Sequence, residues 1–159
     1  MKKFLAFVVC AMCFVACNHQ SAADKYRAEK HIRDSVSLIE QQRSLDFYQA
    51  QLDSLLPVSD SLLTLFKYER NEKYQDHGYY VTTGQNGLRI LVRDDGRDLL
   101  LYRNGKRQTY PDNNIKGKDA ERVDRAEHLK IVISDIKELE RRIARTSLEV
   151  QKYQKRLEK

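Results

Sequence analysis

The chain has 159 residues, of which 33% are charged, and it carries a formal net charge of +6 with no tryptophan. This length allows one domain, and many charges with few glycines and prolines favour long solvated helices over a thick globular core. Basic and acidic residues are interspersed along the chain, which argues against nucleic-acid binding.

Residues 1–16 have the organisation of a signal peptide. Lys2 and Lys3 form a basic start, and an apolar run follows over residues 4–16. This run is too short to cross a hydrocarbon core of about 30 Å, which requires about 20 helical residues. Its length and flanks are those of a secretory signal. We therefore expect this leader to act as a signal peptide.

The leader ends in Phe14-Val15-Ala16-Cys17, which resembles the lipobox of bacterial lipoproteins. The resemblance covers the first seventeen residues. It implies cleavage before Cys17, lipid on the sulfur and amino group of Cys17, and attachment to a membrane of the bacterial cell envelope. The residue after Cys17 is Asn18, and not the aspartate that retains some lipoproteins at the inner membrane. The outer membrane is therefore favoured, with the body in the periplasm or at the cell surface.

Two other fates of the leader stay open. Small residues before Asp24 allow ordinary secretion with cleavage after Ala23, and an uncleaved anchor is the third alternative. With cleavage before Cys17, Cys10 and Cys13 are lost, so no intramolecular disulfide, thiol nucleophile or cysteine-based metal site is expected. Residues 17–24 comprise Cys17, for which the resemblance implies lipidation, and a small, polar stretch that predicts a tether.

The first part of the predicted domain, which spans 25–159, is helical. A helix is expected over 25–56, because its leucines recur every seven residues and form one stripe. Pro57 stops or kinks this helix, and a second helical piece is expected over 59–70. The pattern leaves open whether the chain bends or reverses at Pro57. The stripe consists of Leu38, Leu45 and Leu52, with Tyr48 and Leu55 at companion positions.

The periodicity then changes from 3.6 to 2, which predicts a β-meander of three to four antiparallel strands over 79–110. Three turn signals separate the strands. Asn104-Gly105 is the strongest of them, because both residues tolerate the positive φ angles of a tight hairpin. Gln85-Asn86-Gly87 and Asp94-Asp95-Gly96 are the other two.

A coiled-coil helix is predicted over 118–158. Its apolar positions repeat every seven residues through four heptads. The fold class is therefore α+β, with a long antiparallel helical hairpin flanking the small sheet. Self-association of the C-terminal helix is the competing use of the same stripe. The repeating positions are Leu129, Ile136, Ile143, Val150 and Leu157, with Val132, Leu139, Thr146 and Tyr153 between them.

The sequence predicts no catalytic, cofactor or metal site. The four histidines lack ligand spacing, and the acidic run 94–98 lacks the oxygen-ligand spacing of a calcium loop. The best candidate site is a patch of aromatic and guanidinium groups on the sheet, suited to a sugar or a peptide. The patch consists of Tyr79, Tyr80, Arg89, Tyr102 and Tyr110.

These observations predict a lipid-anchored envelope protein with a structural or adaptor role, and not an enzyme. The alternative is an envelope binding module whose sheet captures a glycan or a peptide. The expected partners are the membrane, through the N-terminal lipid, and either envelope proteins or a second copy bound through the C-terminal helix.

Overall fold

The computed structural model describes residues 21–70, 77–109 and 115–158. In chain order its elements are helix α1 (Ala22–Leu63), strands β1 (Lys67–Arg70), β2 (Gly78–Thr83), β3 (Leu88–Arg93), β4 (Leu99–Arg103) and β5 (Lys106–Gln108), and helix α2 (Lys118–Leu157). Two long helices and one antiparallel sheet confirm the predicted α+β class. The predicted signal peptide and the lipidated Cys17 lie outside the described residues.

The chain divides into two compact units, Met1–Arg43 with Leu148–Lys159 and Ser44–Ser147. Each unit contains a stretch of both helices. In the first unit the Asp34 carboxylate is almost fully buried, and the Arg156 guanidinium lies 3.8 Å from it. The helix segments of this unit therefore meet around a charged pair as well as around the buried Val150.

Helix α1 begins at Ala22, because Ser21 caps it. The Ser21 hydroxyl oxygen accepts a hydrogen bond from the Asp24 amide at 3.2 Å and donates one to the Asp24 carboxylate at 2.8 Å. The first bond satisfies the Asp24 amide, one of the groups that a helix start leaves without a partner, and the second holds the Ser21 hydroxyl in place. The predicted tether over 17–24 is thus wrong for residues 22–24, which are helical.

Helix α1 continues through Pro57, where the sequence predicts a break between two helical pieces. Proline removes one backbone hydrogen bond from a helix interior, and its ring crowds the carbonyl one turn earlier. Burial on both sides of the proline offsets this cost. Leu52 and Leu55 before it and Leu62 and Leu63 after it are all half-buried.

The helix predicted over 59–70 ends at Leu63, and Lys67–Arg70 form strand β1 instead. Amides of Leu65 and Phe66 close the helix with bonds to carbonyls three residues earlier. Strand β1 then pairs along its whole length with β2. A strand made by long-range pairing has a weak local signal when its own residues are polar and exposed, so the sequence did not indicate it.

The sheet has five strands in the order β1-β2-β3-β4-β5, one more than the longest meander predicted. The three predicted turns connect β2 to β3, β3 to β4 and β4 to β5. Asn86 and Asn104 have φ angles of 52° and 51°, and the glycine after each also has positive φ. Both Asn-Gly pairs therefore form the tight hairpin turns that their residue types predict.

The core of the unit Ser44–Ser147 lies between the inner face of the sheet and α2. Alternate residues of β3 meet one face of α2 there, while Leu62 and Leu63 of α1 and Phe66, three residues beyond its end, pack half-buried against this core. Each α2 residue of the predicted heptad pattern is buried or half-buried, so this pattern is confirmed. The main buried residues are Leu88, Ile90, Val92, Leu101, Val123, Ala126, Leu129 and Ile133.

Within the same unit, α1 and α2 pack antiparallel as predicted. The Arg142 guanidinium lies over the Tyr48 ring, 5.8 Å from its centroid. Further along α1, the neighbourhood of Leu55 meets earlier residues of α2, including Leu139. Residue numbers rise along one helix as they fall along the other, which is the signature of an antiparallel pair.

Candidate functional site: the outer face of the sheet

The strand register places a distinct set of side chains on the face of the sheet opposite the core. Successive strand residues point to opposite faces, so the burial of Leu88, Ile90 and Val92 directs Arg89 and Leu91 outward. Across the next ladder, Arg89 is opposite Tyr102 and Leu91 is opposite Leu100. Tyr79 of β2 lies opposite Arg93, which shares the outward direction of Arg89 and Leu91, so three strands combine aromatic, aliphatic and cationic groups on one face.

These side chains line an open cavity of about 540 Å³. One end is closed by the two hairpin turns. The turns touch, because the Asn104 amide donates to the Gly87 carbonyl at 3.4 Å. Glycine suits position 87 because its φ angle is +71°, whereas the 2.4 Å contact that a Cβ would make with Asn104 Oδ1 is one that side-chain rotation relieves. The cavity is lined by Tyr79, Gly87, Arg89, Leu91, Leu100, Tyr102, Asn104 and Gly105.

An ion pair crosses the outer face beside the cavity. The Arg89 Nη2 atom lies 2.6 Å from the Glu69 carboxylate, and about half of each side chain is exposed. Because β1 and β3 are both neighbours of β2, this pair spans β2, whose Val81 is buried. An exposed pair adds little stability. It does keep one donor group and one acceptor group at the surface.

The structure brings together three of the five residues predicted for the patch, Tyr79, Arg89 and Tyr102. Tyr80 lies on the opposite face, where its ring packs against Tyr68 with centroids 5.4 Å apart. Tyr110 lies outside the described residues. The predicted patch lacks Leu91 and Leu100, although a signal for them was present: both are apolar at strand positions whose neighbours form the core.

A second cluster of polar side chains surrounds Asp94, next to β1 and the start of β2. The Asp94 carboxylate accepts hydrogen bonds from the Gly78 amide at 2.7 Å and from the Tyr68 hydroxyl at 3.2 Å, and His77 Nδ1 lies 3.6 Å away. Desolvation and the bond to Asp94 raise the pKa of Tyr68. Acid–base chemistry uses contacts between histidine and carboxylate, but this carboxylate is committed to joining β1, the start of β2 and the β3–β4 turn.

The acidic run after β3 is held by protein groups. Arg93 Nε lies 2.7 Å from Asp95 and Arg93 Nη1 lies 3.1 Å from Asp98, while the Arg97 amide donates to Asp95 at 3.0 Å. The hydrogen bonds from Arg93 lower the pKa of Asp95 to about 2. The acidic residues of this run are therefore bound within a hairpin turn, as the sequence predicts.

Metal-ligand clusters and membrane-spanning helices are both absent from the described ranges 21–70, 77–109 and 115–158. Within these ranges, no cluster of three or more histidine, cysteine or acidic side chains is arranged to hold a metal ion. Neither helix in this part of the chain has an apolar stretch of the length needed to cross a bilayer.

The chain was also compared with known proteins. No family model, no curated protein and no solved structure matches it.

Proposed function

We propose that this chain is a lipid-anchored protein of the bacterial cell envelope that acts as an adaptor, binding a partner protein through the outer face of its sheet. The proposed location in the cell envelope rests on the resemblance of residues 1–17 to lipoprotein leaders. The anchor is Cys17, the membrane is the outer membrane, and the role is one of binding and not of catalysis.

The cavity on the outer face is the observation that carries the adaptor role. Tyrosine and arginine are the residue types over-represented among energetic hot spots of protein interfaces. Tyr79, Tyr102 and Arg89 surround an aliphatic floor of Leu91 and Leu100. This combination of rigid aromatic groups around an apolar centre is the composition expected of a binding surface.

The same geometry limits the mode of binding. Strands β3 and β4 are paired on both edges, so their backbone groups are already used by the sheet. A peptide lying across the cavity therefore has no strand edge there to extend. Recognition in this cavity depends on side chains.

A glycan is the second candidate ligand, and the Arg89–Glu69 pair favours it. Sugar hydroxyls both donate and accept hydrogen bonds, and this pair offers a guanidinium donor next to a carboxylate acceptor. The pair also has no net charge, which suits a neutral ligand. The rings of Tyr79 and Tyr102 provide apolar faces for the C–H groups of a sugar ring.

Truncating both tyrosines should strongly reduce capture of the partner. We expect the variant Tyr79→Ala/Tyr102→Ala to capture at most about a tenth of the partner that the wild type captures. Aromatic residues at hot spots each contribute more than about 1 kcal/mol to binding. The measurement is quantitative affinity capture by the full chain from its native envelope, with circular dichroism confirming an unchanged fold.

Tyr26→Ala is the matched control, since Tyr26 is an exposed tyrosine on α1. Equal capture by the double variant and this control would contradict the adaptor proposal. Capture that survives protease treatment and is lost on glycan hydrolysis would replace the protein partner with the glycan.

The anchor has its own test. Mass spectrometry of the mature N-terminus should find a chain that begins at Cys17 and carries acyl chains, and Cys17→Ala should release the protein from membranes. The acyl chains hold the protein because each buried methylene contributes about 0.8 kcal/mol. An unmodified chain beginning at Asp24 would instead establish ordinary secretion.

A further inference from the structure

Helix α1 has apolar residues on two opposite sides within the unit Met1–Arg43 with Leu148–Lys159. One side, with the buried Asp34 and the half-buried Leu38, faces inward. On the other side Ile32, Val36 and Ile39 are 64%, 50% and 53% exposed. Their spacing of four and then three residues places these three side chains on a single outward stripe.

Charged residues of opposite sign lie along one edge of this stripe. Arg33 follows Ile32 and Glu40 follows Ile39, so the two occupy equivalent positions one heptad apart. The other edge carries small or uncharged residues, namely Ala28, Ser35 and Gln42. The stripe is therefore bounded by charge on one side only.

We propose that this stripe binds the same stripe of a second copy of the chain, with the two α1 helices antiparallel. In an antiparallel pair, like edges of the two stripes face each other. Arg33 of each copy then lies opposite Glu40 of the other, which makes two symmetric ion pairs around a two-fold axis near Val36. A parallel pair would set this edge against the uncharged edge, and neither ion pair would form.

The α1 stripe suits this role better than the α2 stripe, through which the sequence predicts self-association. Within this unit Val150 is buried and Tyr153 is half-buried, so binding through α2 requires the intrachain helix pair to separate. The α1 stripe is exposed as it stands. Three apolar residues per copy make a small interface, and the proposed lipid anchor, on which this step rests, would bring two copies together in one membrane at a raised effective concentration.

Photocross-linking tests the proposal directly. The full chain, with p-benzoylphenylalanine replacing Val36, is reconstituted in phosphatidylcholine vesicles and irradiated. We expect a covalent dimer whose adduct maps to α1 of the second copy. The control places the same group at Leu148, which is 65% exposed on α2 in the same unit, and should give no dimer.

Charge reversal then tests the antiparallel arrangement. Arg33→Glu and Glu40→Arg should each lower the dimer yield about fivefold or more, because each change sets like charges opposite each other twice. The combined variant Arg33→Glu/Glu40→Arg should restore the yield. Far-UV circular dichroism checks that all variants keep their helices.

Several results would overturn the proposal. Adducts to lipid would assign the stripe to the membrane surface, and equal dimer yield from positions 36 and 148 would mean that the cross-link reports crowding. A combined charge variant as weak as the single variants would exclude the antiparallel register.

Discussion

Gly96→Ala should destabilise the unit Ser44–Ser147 by about 2–5 kcal/mol. Gly96 lies in the β3–β4 turn with a φ angle of +71°, and it is buried against the backbone of α2. A Cβ there would lie 2.5 Å from the Ser134 amide nitrogen and 2.7 Å from the Lys130 carbonyl oxygen. The strained φ costs about 1–2 kcal/mol, and overpacking adds about 1–3 kcal/mol.

The helix backbone is the reason for the large effect. A clash with a flexible side chain is relieved by rotating that side chain, whereas relief here requires α2 to move away from the sheet. The measurement is urea denaturation followed by circular dichroism, compared between the variant and the wild type at an unchanged denaturant slope.

Gly105→Ala is the matched control. Gly105 has a φ angle of +77°, and a Cβ at this position would meet no atom within 4 Å. This change should cost only the conformational strain of about 1–2 kcal/mol. If the two glycine variants unfolded at the same urea concentration, the close packing of the β3–β4 turn on α2 would be wrong.

Leu129→Asp should prevent the same unit from folding. Leu129 is fully buried where α2 meets Leu88, Ile90 and Val92 of the sheet. The substitution removes a side chain worth about 2–5 kcal/mol and places a carboxylate in an apolar core, which adds several kcal/mol. This loss approaches the whole stability of a typical domain, about 5–15 kcal/mol. Loss of the cooperative thermal transition is the readout.

Ile131→Asp serves as its control, because Ile131 is two residues away on the same helix and is 56% exposed. It should change stability by less than about 1 kcal/mol. A cooperative transition at the wild-type temperature in Leu129→Asp would show that the heptad stripe is not buried. Unfolding of both variants would mean that the exposed face of α2 is assigned wrongly.

The candidate site could be predicted only in part. Tyr79, Arg89 and Tyr102 were expected from residue type, because tyrosine and arginine in a strand region are typical of binding surfaces. Deciding that Tyr79 belongs to the site and Tyr80 does not requires knowing which face of β2 meets the core. That choice depends on pairing with β3 and on the position of α2, and neither is encoded in the Tyr-Tyr sequence itself.

The α+β class, the stripe of α2 and the three hairpin turns follow from the amino-acid sequence alone. Each depends on local physics: a period of 3.6 or 2 residues, and the ability of asparagine and glycine to adopt positive φ. These properties act within a few residues, so a single stretch of chain contains the whole signal.

The extra strand and the unbroken first helix depend on long-range contacts. Strand β1 exists because it pairs with β2, and α1 passes through Pro57 because burial on both sides outweighs one missing hydrogen bond. Asp-Asp-Gly96 and Asn-Gly105 are alike as turn sequences, yet only Gly96 touches a helix backbone. Contacts between residues distant in sequence carry most of the packing energy, and no local pattern records which distant residue will be the neighbour.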